Sequence, residues 1–131
     1  MSDSNAAIRD DIQYLQGIWR TVAVEVDGSP VASSMFENAR LVIAGDSFTL
    51  RNPLPDADQR TEGSIRLDAE KVPKELHLIL DDGTQIDEIY ELNENRLRIC
   101  YPIKGGKRPT EFQTFPQSGL SLVLYEREGR L

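Results

Sequence analysis

Residues 17–28 read GIWRTVAVEVDG, and the order of side chains in this stretch decides the fold. The period is two: Trp19, Thr21, Ala23 and Glu25 fall on one face of an extended chain, and Ile18, Val22, Val24 and Val26 on the other. Asp27-Gly28 and Pro30 end the strand. Upstream the period is helical over residues 6–16, with Ile8, Ile12 and Leu15 at i, i+4, i+7, Asn5 placed to cap and Gly17 to stop. Downstream, SSMFENA has Ser34 and Glu37 at capping-box spacing and is expected to form a turn or two of helix.

From residue 39 onward the chain is strand and turn. ARLVIAG and SFTLRN flank Gly45-Asp46, NPLPDADQ is expected as a proline-broken loop, and TEGSIRLD and ELHLIL are separated by KVP. DDG turns into TQIDEIYEL, NEN into RLRICYPI, KGGKRP into TEFQTF, and SGLSLVLYERE closes the chain. About eight to ten short strands at regular turn spacing define an antiparallel barrel or sandwich. With helix only near the start, parallel βαβ folds are excluded.

The composition sets the outer limits. A chain of 131 residues, 28% charged and 39% hydrophobic, is one globular domain, here divided into a helical segment at 1–16 and a barrel at 17–127. The net charge of −7, from 22 acids against 15 bases, argues against nucleic acid and anionic membrane as partners. One cysteine permits no internal disulfide. The N-terminal residues lack the apolar core of a signal peptide and no run reaches membrane-spanning length, so the expected address is the cytoplasm.

A helix, then Gly17-x-Trp19, then a first strand is how lipocalin-like barrels begin, and this favours a closed barrel over a sandwich. The indole plugs one end beneath the helix, and Arg127 on the last strand is placed to stack on it. Further segments strengthen the likeness. Glu25, Asp27 and Gly28 follow Trp19; GDSF stands at 45–48; Tyr90 and Leu92 precede Leu97 and Cys100; Gly106, Arg108, Pro109 and Phe112 come next. Together they resemble a bacterial, planctomycete-type family of uncharacterised lipocalin-like domains, over most of residues 17–127. The resemblance implies an all-β, calycin-type antiparallel barrel and no settled activity. Two departures, Asp87-Glu88 and the NEN turn, fall in or beside turns. The Arg-x-Tyr pair with which intracellular fatty-acid carriers hold a carboxylate is missing, since Val123-Leu124 precede Tyr125.

The candidate site follows from the barrel. Trp19, Glu25, Tyr90, Arg108 and Phe112 are expected at the lumen or its rim, with Met35 and Phe36 as a lid. A lumenal Glu25 must be paired, and Arg108 is the base assigned to it. The five bases between Arg96 and Pro109 face the six acids of 81–94 across a hairpin, and so read as its complement, not as a phosphate site. GGKRP lacks the Ser or Thr of a P-loop. One His and one Cys make neither a zinc site nor a catalytic pair, so Cys100 is expected buried and inert, and His77 outward. No metal, cofactor or nucleophile–base constellation is read, and the chain is not expected to be an enzyme. The leading expectation is a binding module for a small, partly apolar ligand. The alternative is a filled barrel that docks a basic protein partner on the acidic residues Asp81, Asp82, Asp87 and Glu91.

Overall fold

A computed structural model describes residues 11–54 and 57–130. Residues 11–15 are helical and Gln16 is not, while residues 6–10 of the expected helix, with its expected cap Asn5, lie outside the described residues. Nine strands follow: β1 Gly17–Val26, β2 Ser29–Pro30, β3 Arg40–Ala44, β4 Ser47–Leu54, β5 Ala57–Asp68, β6 Lys74–Leu80, β7 Gln85–Asn93, β8 Arg96–Pro102 and β9 Leu120–Gly129. Each pairs antiparallel with its neighbour in the order β2-β1-β3-β4-β5-β6-β7-β8-β9, and β9 pairs back onto β1. Eight strands therefore form a closed lipocalin-like barrel, and β2 is a short hairpin arm on the far end of β1. Closure leaves the ring without a free edge. Among the described residues no helix is long and apolar enough to cross a membrane.

Alternation sets the inside of the wall. The inward series are Leu41 and Ile43 on β3, Phe48 and Leu50 on β4, Ile65 and Leu67 on β5, Leu76 and Leu78 on β6, Tyr90 and Leu92 on β7, Leu97 and Ile99 on β8, and Val123 and Tyr125 on β9. These are mostly branched or aromatic side chains, which favour a pleated wall with one buried face.

The base of the barrel is a plug held by polar contacts. Leu15, Trp19, Tyr90 and Leu97 are completely buried there. Trp19 Nε1 donates to the carbonyl of Leu15 at 2.8 Å, fixing the helix on the indole. The Arg127 guanidinium lies 4.3 Å from the centre of the Trp19 ring and donates to the carbonyls of Gln16 and Tyr14 and to Asn95 Oδ1. One side chain thus ties the last strand to the first, to the helix and to the β7–β8 turn. The Tyr90 hydroxyl donates to Asp11 at 2.6 Å, and Lys74 reaches the same carboxylate at 2.9 Å. Gly17 has φ +135°, and a Cβ there would lie 2.4 Å from the carbonyl oxygen of Gly129. Only glycine lets β1 and β9 close at this point.

Four local expectations are corrected. A β-bulge between Thr21 and Ala23 shifts the register of β1 against β9, so that Trp19 and Thr21 point inward but Val24 and Val26 take over beyond it. Glu25, opposite Leu122, therefore faces away from the lumen. Residues 33–35 form one 3-10 turn with no side-chain cap, because Ala32, not Ser34, precedes it. β4 runs through Pro53 to Leu54, where a loop was expected, with residues 55–56 outside the described residues. TEFQTF is not a strand: the whole segment 103–119 is turn and loop, laid over the outside of the wall.

Replacing Arg127 with Lys keeps the charge but removes the planar fork and the stack. Urea unfolding should show a loss of about 1–3 kcal/mol. Unchanged stability would mean that the guanidinium does not lock the base.

Candidate functional site

The base is packed, but the other half of the barrel is hollow. A cavity of about 230 Å³ is lined by inward residues of β3 to β9, nearly all apolar. Deep in it Ile43, Phe48, Leu76 and Ile99 are buried, whereas Leu50, Thr61, Leu80, Ile86 and Tyr101 towards the other end keep partial exposure. The mouth therefore opens at the end away from Trp19. It is larger than the ~150 Å³ that holds benzene and smaller than the ~300 Å³ at which pockets for drug-sized ligands begin. The space suits one or two fused rings, or a short chain of similar bulk.

One carboxyl stands in this mostly apolar lining. Glu88 occupies the inward series Ile86-Glu88-Tyr90-Leu92 of β7, is 4% exposed, and its Oε1 has no hydrogen-bond partner. Burial pushes its carboxyl up to about 8, and the positive charge of Arg108 offsets this only in part. Burial thus favours the protonated carboxyl, a neutral donor and acceptor in a mostly apolar wall. Tyr101 and Tyr125 line the same cavity, and burial raises both phenols, with the Glu88 charge adding to the effect.

The structure disperses the residues expected at the lumen. Trp19 and Tyr90 face inward but form the plug, below the open space. Glu25 does not meet Arg108, because the bulge in β1 has turned it outward. Arg108 is outside the barrel: it donates to the carbonyls of Leu76 at 2.6 Å and Glu88 at 2.5 Å, and contacts Asp87 at 3.1 Å and Glu75 at 3.5 Å. Phe112 is also outside, 4.2 Å beneath the Arg98 guanidinium. Met35 is exposed and Phe36 buried, and neither lines the cavity. Of the residues expected at the barrel's two ends, Trp19 and Arg127 stand together as expected.

Arg108 and Phe112 belong to a strap formed by residues 103–119. Thr114 Oγ1 accepts from the amide of Gly28 and Asp27 Oδ1 from that of Gly119, fastening the strap to the β1–β2 turn. Beneath it, on the outer face, Ile89 and Cys100 are completely buried. Cys100 is buried, as expected, and that burial raises its thiol and favours the protonated form. His77 faces outward and shares a 2.6 Å hydrogen bond with Asp87.

The acid–base complementarity across the β7–β8 hairpin is present as Glu91–Arg98 at 3.1 Å. Two of the four acids expected to form a docking face, Asp87 and Glu91, are therefore already paired with bases. Asp81 and Asp82 remain exposed in the β6–β7 turn, where the Thr84 amide bonded to Asp82 holds that carboxyl below its ordinary value. Among the described residues no group of three or more His, Cys, Asp or Glu side chains could hold a metal ion.

Compared with known protein families, with curated proteins and with solved structures, the chain matches none.

The buried acid has a measurable signature. The native state holds the Glu88 proton at pH values where the unfolded chain, near 4.5, has released it, so this residue's stabilising effect is complete below about 4.5 and is lost as pH rises towards 8. Relative to Glu88→Gln, the wild-type protein should lose about 1.4 kcal/mol per pH unit across that window. Urea unfolding of both proteins from pH 4 to 9 reads the difference, and parallel curves would show that the carboxyl is not buried.

Proposed function

We propose that the protein is a non-catalytic binding module that takes up one small, mostly apolar molecule in the barrel lumen. The observation that carries this reading is the asymmetry of the interior: a packed base beneath an apolar cavity of about 230 Å³ with an open mouth. A barrel whose only task was to be stable would gain by filling such a space, since each missing methylene costs about 1 kcal/mol. The polar complement, one carboxyl with two phenols and a threonine in an apolar wall, is what orienting a small ligand requires. The likeness of the Gly-x-Trp start and the final-strand Arg to lipocalin-like domains agrees with carriage and adds no ligand. Docking of a basic protein on the acidic face is less well supported, because Asp87 and Glu91 are engaged by Arg108 and Arg98.

Naphthalene, one ring larger than benzene, is a suitable probe. Ligand-observed NMR should show saturable binding at one site, weakened at least about tenfold in Leu78→Trp, which fills the lumen, with the circular dichroism of the fold retained. An absence of saturable binding to the wild-type protein would overturn the reading.

A further inference from the structure

Among the described residues Glu88 is the only carboxyl lining the cavity, and the lining contains no Lys, Arg or His. The base nearest in charge, Arg108, lies behind the wall with its donors engaged by two carbonyls, Asp87 and Glu75. An orphaned acid in a dry wall is unfavourable, and the fold leaves its Oε1 without a partner. Four other acids are answered by bases within the chain: Glu91 by Arg98, Glu126 by Arg20, Glu128 by Arg40 and Asp11 by Lys74. Glu88 lines the cavity and is buried, with its Oε1 unpartnered.

The remaining features of the lumen say which complement fits. Tyr101 from β8 and Tyr125 from β9 present aromatic rings to the same cavity, and Thr61 from β5 adds a hydroxyl. Rings beside a carboxyl attract an organic cation through both the ring quadrupole and the charge. An anion would meet only Glu88 and two phenols, with no base to neutralise it. Next to Leu80, which lines the cavity, the exposed pair Asp81-Asp82 adds negative charge near the mouth, in a chain whose net charge is −7. That field draws cations inward.

We propose that the lumen selects a small apolar amine, its ammonium group paired with the Glu88 carboxylate beside the rings of Tyr101 and Tyr125. This rests on the carrier reading above and gives it a ligand class. The proton balance is simple. The amine enters as an ammonium ion, the protonated Glu88 releases its proton to solvent, and the ion pair forms with the amine N–H groups donating to the carboxylate oxygens. Below neutral pH binding is therefore accompanied by release of close to one proton per ligand. The groups facing Glu88 do not supply that proton, since Tyr101, Tyr125 and, across the strand, Cys100 are all held protonated by burial.

Three probes of one shape test it: 1-naphthylmethylamine, 1-naphthylmethanol and 1-naphthoate, titrated calorimetrically into the full-length protein at pH 6.5 in two buffers of different ionisation enthalpy. The amine should bind at least about tenfold tighter than the alcohol, the carboxylate should be weakest, and the two buffers should report release of close to one proton with the amine alone. In Glu88→Gln the amine should lose its advantage while the alcohol binds as before, and this retained binding shows that the variant is folded. If the alcohol matches or exceeds the amine in the wild-type protein, the amine assignment is overturned and the carrier reading stands. If no probe binds, both are overturned. If amine preference survives in Glu88→Gln, or no proton is released, the carboxyl is not the anchor and the proposal fails.

Discussion

The Arg127 guanidinium lying on the Trp19 ring is the contact on which the rest of the molecule depends. It joins the last strand to the first, where the ring of strands must close, and it does so at the point where the helix, the β7–β8 turn and both terminal strands converge. A barrel without this closure would expose two strand edges and could not keep an interior dry. The indole answers a second requirement. With Leu15, Tyr90 and Leu97 it plugs the base, and the open space lies in the other half.

Glu88 can be read in the same frame. A carboxyl placed among the plug residues would have neighbours to satisfy it, as Asp11 has in Tyr90 and Lys74. Two residues towards the mouth from Tyr90, along the same inward series, the wall turns apolar, and Glu88 lines the cavity with its Oε1 unpartnered. Desolvation then governs its chemistry, and the positive charge of Arg108 on the far side of β7 is the lesser influence.

Much of the architecture was legible in the sequence because its signals are periodic. The alternation over residues 40–102 and 120–128 and the turn residues between strands define the barrel, and Gly17-x-Trp19 with Arg127 gives its closed end. The site was less legible, for two identifiable reasons. Strict alternation through β1 carries Glu25 inward with Trp19, and the apolar residues Ile18, Val22, Val24 and Val26 all stand at even positions, so the pattern shows no change of face. The bulge is visible only in the pairing of β1 with β9, and a charged Glu25 turned outward is what burial favours. Glu88, for its part, shares the parity of Tyr90, but as one half of Asp87-Glu88 it looked like part of a turn. Arg108 and Phe112 could not be placed from the sequence at all, since a strap has no period and its position depends on what lies beneath it.

The strap has a mechanical consequence. By holding the carbonyls of both Leu76 and Glu88, residues opposite one another on β6 and β7, Arg108 acts as a rivet through the wall directly behind the lumenal carboxyl. Backbone that is pinned from outside cannot swing to accommodate a badly shaped guest. The wall at that spot is thus rigid, and in the proposed carrier role discrimination between guests falls to their own geometry instead of to any adjustment by the host.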